Sequence, residues 1–479
     1  MKKSLTILQI NDLHGYIEPH PEIVRSADGD SFQSLGGLSR IAALYRKVRE
    51  ETSGAVLALD NGDTFHGTYV AVHSKGQALV PLMNALQLDA MTVHWEFAYG
   101  PHGLSALAAQ LNYPVLAINV FDKATDRLLF PPYGIFDRGG LKIGVIGLAC
   151  PIVDKTMPPS YSEGIRFSVG NEELPGWIER LKGESVDLIV VLSHLGFPQD
   201  VCLAREVGGI DVLVSGHTHN RMYEPVIENG AIIFQSGCHG SFVGRLDISV
   251  EDRRIVGHRH RLIAVDESLG DDADMRVLID SAAAPHRDML SEIVGHTHIP
   301  LHRYSMYSTA MDDLLLDAIA AAADTEIAFS NGWRYGAPIE PGPITMNDLW
   351  NIIPTNPPVS TVDLTGVELV AMIEENLERT FSANPYDQMG GFVKRCRGLT
   401  LYLKSENPKD HRIDRLFVLD APVVAEKSYR CAFVTSQGVP AKWGCNRVAT
   451  EVRAIEALRR WLETHIPGEE PARLSVRAV

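Results

Sequence analysis

Five short apolar runs in this chain each end at an aspartate or a histidine. Residues 5–10 lead to Asp12 and His14, residues 56–59 to Asp63, and residues 90–93 to His94. Residues 188–192 lead to His194, and residues 212–214 to His217 and His219. Strands of a parallel sheet covered by helices are buried on both faces and read as unbroken apolar stretches. Their carboxyl ends share one edge, where ligand crevices form. Side chains scattered over about 200 positions are thereby expected to meet at one place.

A chain of 479 residues exceeds what one core usually supports, so two domains are expected. From residue 5 to about 265, apolar runs alternate with helix-like segments such as 38–50 and 174–182, the pattern of an α/β layered fold. The expected division is a domain over 1–265, a polar helical connector over 266–298, and a second domain over 299–479. In the second domain, residues 312–323 and 366–380 read as helices and 326–329 as a strand.

The net charge of −16 disfavours nonspecific binding to nucleic acid or an anionic membrane. No stretch approaches the roughly 18 apolar residues of a membrane span. The first ten residues superficially resemble an export signal, but the apolar part is short, broken by Thr6 and Gln9, and runs straight into Asp12. It reads as a first strand, which implies a cytoplasmic protein, or a periplasmic one if the chain is a trimmed mature form. The six cysteines form no C-x-x-C pair and are expected to be reduced thiols.

Asp12 and His14 are two apart, so an extended backbone points both side chains the same way. His217 and His219 repeat that spacing, and Gly62 allows a tight turn before Asp63. A carboxylate at Asp63 has two oxygens with which to bridge two cations. Mixed Asp and His ligands suit Mn, Zn, Fe and related divalent ions; a calcium site is all oxygen. Two such ions activate a water and stabilise charge on the attacked group.

The segments Asp12-Leu13-His14-Gly15, Asn61-Gly62-Asp63, Ser193-His194 and Ser215-Gly216-His217-Thr218-His219 resemble the calcineurin-like metallophosphoesterases, in the branch of the bacterial 5′-nucleotidases. Phe329 to Arg334 and Leu364 to Leu369 resemble the nucleotidase C-terminal domain. The resemblance implies a layered α/β/β/α metal domain followed by a smaller α+β domain. It implies that Asp12, His14 and His219 hold one ion, that Asp63 bridges, and that His194 and His217 hold the other. It places a substrate-contacting arginine at Arg334, which can grip phosphate or sulfonate oxygens in a two-pronged way.

The chain departs from that family after the third strand. Nucleotidases carry Gly-Asn-His-Glu-Phe-Asp there, and this chain has Val93-His94-Trp95-Glu96-Phe97-Ala98. His94 replaces a ligand Asn and remains a candidate ligand. Trp95 and Ala98 replace the His–Asp dyad that serves the leaving group. An alkoxide needs a proton donor to leave, because its acid ionises near water's ~15.7, whereas a thiol ionises near ~8.5. That gap of about 7 units is worth at most roughly 10 kcal/mol, and a general acid typically contributes about 10²–10⁴-fold.

The same His-Trp-Glu-Phe replacement resembles the thiosulfohydrolases of bacterial Sox sulfur oxidation, as do Met311 to Leu314 and Asn384 to Gly391. That resemblance implies a dinuclear manganese site (Zn, Fe, Co and Mg being alternatives), and hydrolysis of an S-sulfonate, either small and anionic or on a cysteine of a carrier protein. The nucleotidase Gly-Gly-Asp-Gly signature is absent; residues 434–444 read otherwise. The alternatives are a phosphomonoesterase or phosphodiesterase that works with activated leaving groups or with His66 as proton donor, and a catalytically silent metal- or ligand-binding homologue. Tyr386, Asp387 and Gln388 form a polar loop expected to contact substrate. Cys238-His239 is expected to be a structural pair near the metal edge. Gly295-His296-Thr297-His298 repeats the earlier motif without a companion Asp, and Lys394-Arg395-Cys396-Arg397 is expected on a solvated face.

Overall fold

The computed structural model describes residues 2–469 and 473–479. It divides into two units, Met1–Pro285 and His286–Val479. In the first, the apolar runs belong to two sheets rather than one. Strands Lys3–Ile10, Val56–Asp60 and Ala90–Met91 run parallel, with Phe242–Glu251 and Arg254–Ala264 completing one sheet antiparallel. Strands Leu141–Leu148, Leu188–Ser193, Val212–Val214 and Ala231–Phe234 form the parallel centre of the other.

The two sheets share a core. Leu5, Ile7, Leu57 and Leu59 of the first pack with Val145, Val190, Val214 and Phe234 of the second. Alternate residues of the second sheet, including Ile146, Val191 and Leu213, face outward onto helices Leu174–Gly183 and Phe197–Glu206. Helix Leu38–Glu51 buries Ile41, Leu44, Tyr45 and Val48, one stripe at helical spacing. Both faces of the strands are therefore apolar, which is why the runs carry no polar alternation.

Residues 266–298 are not a single connector. Helix Ala273–Ala283 belongs to the first unit, where it packs on Leu38–Glu51 and is capped by Asp272, whose side chain accepts from the Met275 N–H at 2.9 Å. Met275, Ile279 and Ala283, four residues apart, give it a buried stripe that the polar residues between them obscure. Strand Ile293–Thr297 belongs to the second unit, where it pairs with Gly342–Thr345.

The second unit is built on a five-stranded sheet in the order Phe392–Arg397, Ile327–Gly332, Ser428–Phe433, Pro358–Thr365, Cys445–Arg453. Ala328 and Ala432 face a core with helices Ala310–Ala322 and Ala454–Leu462. Their neighbours Ile327, Phe329, Cys431 and Phe433 face the opposite core with helix Gly366–Phe381. Thr365 and Glu368 close that helix's start as a reciprocal capping box.

The basic run 394–397 does not lie on a solvated face. Lys394 and Arg395 are buried in the edge strand Phe392–Arg397. Asp312 accepts from Arg303 Nε and Arg395 Nε, each at 2.8 Å, while the Lys394 ammonium donates to the carbonyls of Gln437 and Gly438. Burial pushes Lys394 down to about 7. No helix among the described residues is long and apolar enough to cross a membrane.

Candidate metal centre

The seven Asp and His residues that follow the strands lie together. Asp63, His94, His194 and His217 bring one ligand atom each within 4.8 Å of one another, as do Asp12, His14 and His219. The two groups adjoin through Asp63, whose Oδ2 is 3.1 Å from His94 Nδ1, 3.3 Å from His194 Nε2 and 3.8 Å from His14 Nε2. Asp12 Oδ1 is 3.2 Å from His219 Nε2 and 3.6 Å from His194 Nε2. Each carboxylate thus faces histidines of both groups.

Hydrogen bonds fix which atoms turn inward. Asp63 Oδ1 accepts from the Trp95 N–H at 2.7 Å, leaving Oδ2 for the centre. Asp12 Oδ2 accepts from Asn11 Nδ2 and the His217 N–H, leaving Oδ1. His194 Nδ1 donates to the Asn61 carbonyl at 2.6 Å, which turns Nε2 toward the centre. Asp12 Oδ1 and His194 Nε2, which face the centre, are buried polar atoms without a hydrogen-bond partner. Orphans of this kind are costly in a protein interior. Nitrogen and carboxylate oxygen facing one another at this spacing fit a pair of divalent cations.

The backbone departs from the extended form expected for Asp12 and His14. The first strand ends at Ile10, and Asp12 (φ 51°) and His14 (φ 49°) lie in the left-handed region. Asp63, His217 and His219 do so as well, at φ 56°, 71° and 58°. Such residues cost about 1–3 kcal/mol each and persist where surrounding bonds over-determine them. Here Asp12 N–H donates to the Gly62 carbonyl, His14 N–H to that of Asp63, and Gly15 N–H to that of Thr64, so the two ligand loops extend the strand pairing. Gly62, at φ 90°, passes so close to Thr92 that a Cβ would sit 2.6 Å from its carbonyl oxygen.

Electrostatics draw positive charge to this point. Burial opposes ionisation of Asp12, but His219 and His194 outweigh it and hold the carboxyl at about 2. Asp63 is likewise held well below the usual range against its burial, by His94 and His194. His194 rises to about 9 because Asp63 and Asp12 override burial, whereas burial takes His14 down to about 3.

Several positioning residues escaped the reading of the sequence. Glu96 accepts N–H bonds from Asp63, Thr64, Phe65 and His94 at 3.4, 2.6, 3.3 and 2.8 Å, so one buried carboxylate sets two ligand loops. Asn61 donates to the carbonyls of Ser193 and Val214 and accepts from Gln9, whose amide also donates to Ser215. Gln9 and Asn61 therefore tie the two sheets together at the ligand edge. The signal was present: Gln9 interrupts an apolar strand, and a polar residue in a doubly buried strand needs a buried partner. Glu96→Gln replaces one acceptor oxygen by an NH₂ facing backbone donors. Its expected effect is a loss of metal affinity of about 10–100-fold, typical of an outer-shell change, read by metal titration of the apo protein.

His66 is buried and stacks on Trp95, ring centroids 5.0 Å apart at 27°. In the second unit, Arg334 follows strand Ile327–Gly332 and lies over the Phe392 ring at 5.9 Å. Tyr386 and Asp387 belong to the short turn Pro385–Asp387; Asp387 accepts from Asn384, and Gln388 donates to the Ser382 carbonyl. His296, in strand Ile293–Thr297, and His298, just beyond it, are exposed, while Thr297 between them is buried. Neither histidine joins a ligand group among the described residues.

Residues 5–221 match the family model of the calcineurin-like phosphoesterases, and residues 293–436 that of the 5′-nucleotidase C-terminal domain. The chain is 25% identical over 458 residues to the trifunctional nucleotide phosphoesterase of Bacillus subtilis, covering 85% of this chain and 30% of that longer protein. It superposes on the sulfate thiohydrolase SoxB of Thermus thermophilus with a TM-score of 0.91 at 25% identity, covering 99% of this chain and 96% of that one. A 5′-nucleotidase precursor of the same organism shares the fold with a TM-score of 0.86 at 24% identity, covering 99% of each chain.

Proposed function

Starting from a chain that belongs to the calcineurin-like phosphoesterases, in the branch with a 5′-nucleotidase C-terminal domain, we propose a dinuclear-metal hydrolase of S-sulfonates that releases sulfate and a thiol. Asp12, His14 and His219 would hold one ion and His94, His194 and His217 the other, with Asp63 shared between the two groups. Manganese is the favoured metal, with Zn, Fe, Co and Mg as alternatives. When bound, the pair supplies an activated water and stabilises charge on the attacked sulfur or phosphorus centre. Arg334 is assigned to the substrate's anionic group, and the polar loop of Tyr386, Asp387 and Gln388 to substrate contact. That group is carried by a small molecule or by a cysteine of a carrier protein.

The observation that carries the sulfur reading is the stacked pair Trp95–His66. Trp95 stands where nucleotidases have a proton-donating histidine, and its indole N–H is too weak an acid to serve a leaving group. Burial pushes the stacked His66 imidazole down to about 4, which disfavours it as a replacement for that donor. Thiolate departure needs no such help, which favours sulfur over an alkoxide. Similarity to the SoxB sulfate thiohydrolase supports the same choice. A phosphoesterase reading is favoured by the nucleotide phosphoesterase and nucleotidase relatives.

The test is a substrate panel with metal-loaded enzyme: an S-sulfonate, p-nitrophenyl phosphate and a nucleoside monophosphate. Turnover of the S-sulfonate at about 10²-fold or more above the nucleotide is expected, the lower bound of a missing general acid. Equal or faster nucleotide hydrolysis would replace this reading with the phosphoesterase one. Full metal content without turnover of any of the three, or of a peptide bearing a cysteine-S-sulfonate, would mark a silent metal-binding homologue.

A further inference from the structure

Beside the seven-ligand centre lies a second set of buried ligand-type side chains that the proposed reaction does not use. His20 and Glu22 come from the first strand of the hairpin His20–Ser26 and Gly29–Leu35, and His239 from the loop before Phe242–Glu251. Each brings one ligand atom within 4.8 Å of the others, and all three are buried. We propose that His20, Glu22 and His239 form a third metal site, which takes a divalent cation of the zinc class and braces the dinuclear centre from outside.

The donor set is two imidazoles and one carboxylate, a combination that zinc and related ions take with further positions open. The carboxylate is oriented for it. Glu22 Oε1 is held by Arg221 at 2.7 Å and by the Ile23 N–H at 2.8 Å, which turns Oε2 toward His239 Nδ1 at 4.0 Å. His20 Nδ1 lies 3.4 Å from the Glu18 carbonyl, and Nε2 lies 3.1 Å from the Ser241 hydroxyl, which itself donates to Glu22 Oε2 at 2.9 Å. With its one proton on Glu22, the Ser241 hydroxyl accepts from His20 Nε2, so a cation here takes the place of that imidazole proton. Cys238 Sγ lies 3.4 Å from His239 Nδ1, a further soft donor beside the set.

Backbone and packing mark the same place. His239 has φ 58°, the left-handed conformation shared by five of the seven centre residues. Gly36 packs against His20 so closely that a Cβ would lie 2.8 Å from the ring. The His239 N–H donates to the Asp12 carbonyl at 2.7 Å, and its ring centroid is 5.9 Å from that of His14 and 6.0 Å from that of His219. A cation here would tie the hairpin to the loop that supports Asp12.

The experiment is metal counting on apo protein reloaded with zinc and freed of excess, with anomalous diffraction at the zinc edge on wild-type crystals. About three zinc ions per chain are expected, the third peak lying between His20, Glu22 and His239, with about two in Glu22→Gln and in His20→Asn. Two ions in the wild type and no third peak would overturn the third site and leave the dinuclear centre standing. A peak at the third position with fewer than two at the seven-ligand centre would instead overturn the dinuclear reading alone. The wild-type map decides the matter even if a variant does not fold.

Discussion

Asp63→Asn is expected to lower turnover by at least about 10³-fold and to release one or both metal ions. Oδ2 of this residue faces His94, His194 and His14, so its loss touches both ligand groups at once. The amide keeps one oxygen for the Trp95 N–H but removes the negative charge between the two groups of candidate ligands. Metal-derived charge stabilisation is worth several kcal/mol, and about 4 kcal/mol corresponds to roughly 10³ in rate. Turnover and metal content measured on the same sample check it. A variant that keeps both ions and most of its rate would show that Asp63 is not the bridge.

Trp95→His combined with Ala98→Asp is expected to raise hydrolysis of nucleoside monophosphates by about 10²–10⁴-fold, the usual range for a general acid. The S-sulfonate rate should change far less, since its thiolate leaves unaided. Positions 95 and 98 lie in the single-turn helix Trp95–Tyr99, where residues three apart eclipse one another. The new histidine and aspartate would therefore be neighbours, next to the backbone N–H that holds Asp63. Comparing kcat/KM on the nucleotide, p-nitrophenyl phosphate and the S-sulfonate reads the result. No gain on the nucleotide at unchanged metal content would mean that the absent dyad is not what limits alcohol leaving groups.

Much of the centre was legible because its ligands are local to strand ends. An apolar run marks a doubly buried strand, and the first polar residues beyond it must lie at the sheet's carboxyl edge; Asp12, Asp63, His94, His194 and His217 all follow from that rule. The helices at 38–50, 174–182 and 366–380 were legible for the same kind of reason, a period of apolar residues within one element. The rule failed where the deciding contact lay elsewhere in the chain. The helical character of 266–298 was legible, but not that Ala273–Ala283 joins the first unit, because its buried residues Met275, Ile279 and Ala283 stand among polar neighbours and only its packing on Leu38–Glu51 shows that they matter. Lys394 and Arg395 read as solvated, since nothing near them in the sequence indicates Asp312 or the carbonyls at 437–438.

The sequence by itself determined the strands, the candidate ligands beyond their tips, and the Trp95 and Ala98 that stand where similar nucleotidases carry a dyad, because these are properties of single segments and of residue identity. The tertiary structure alone decided which sheet each strand joined, which carboxylate oxygen turned inward, and that Gln9, Asn61 and Glu96 would hold the loops. It also placed His20 and Glu22 against His239, more than two hundred positions away. Those outcomes depend on hydrogen bonds between residues far apart in the chain, whose partners are chosen only when the two sheets close on one another.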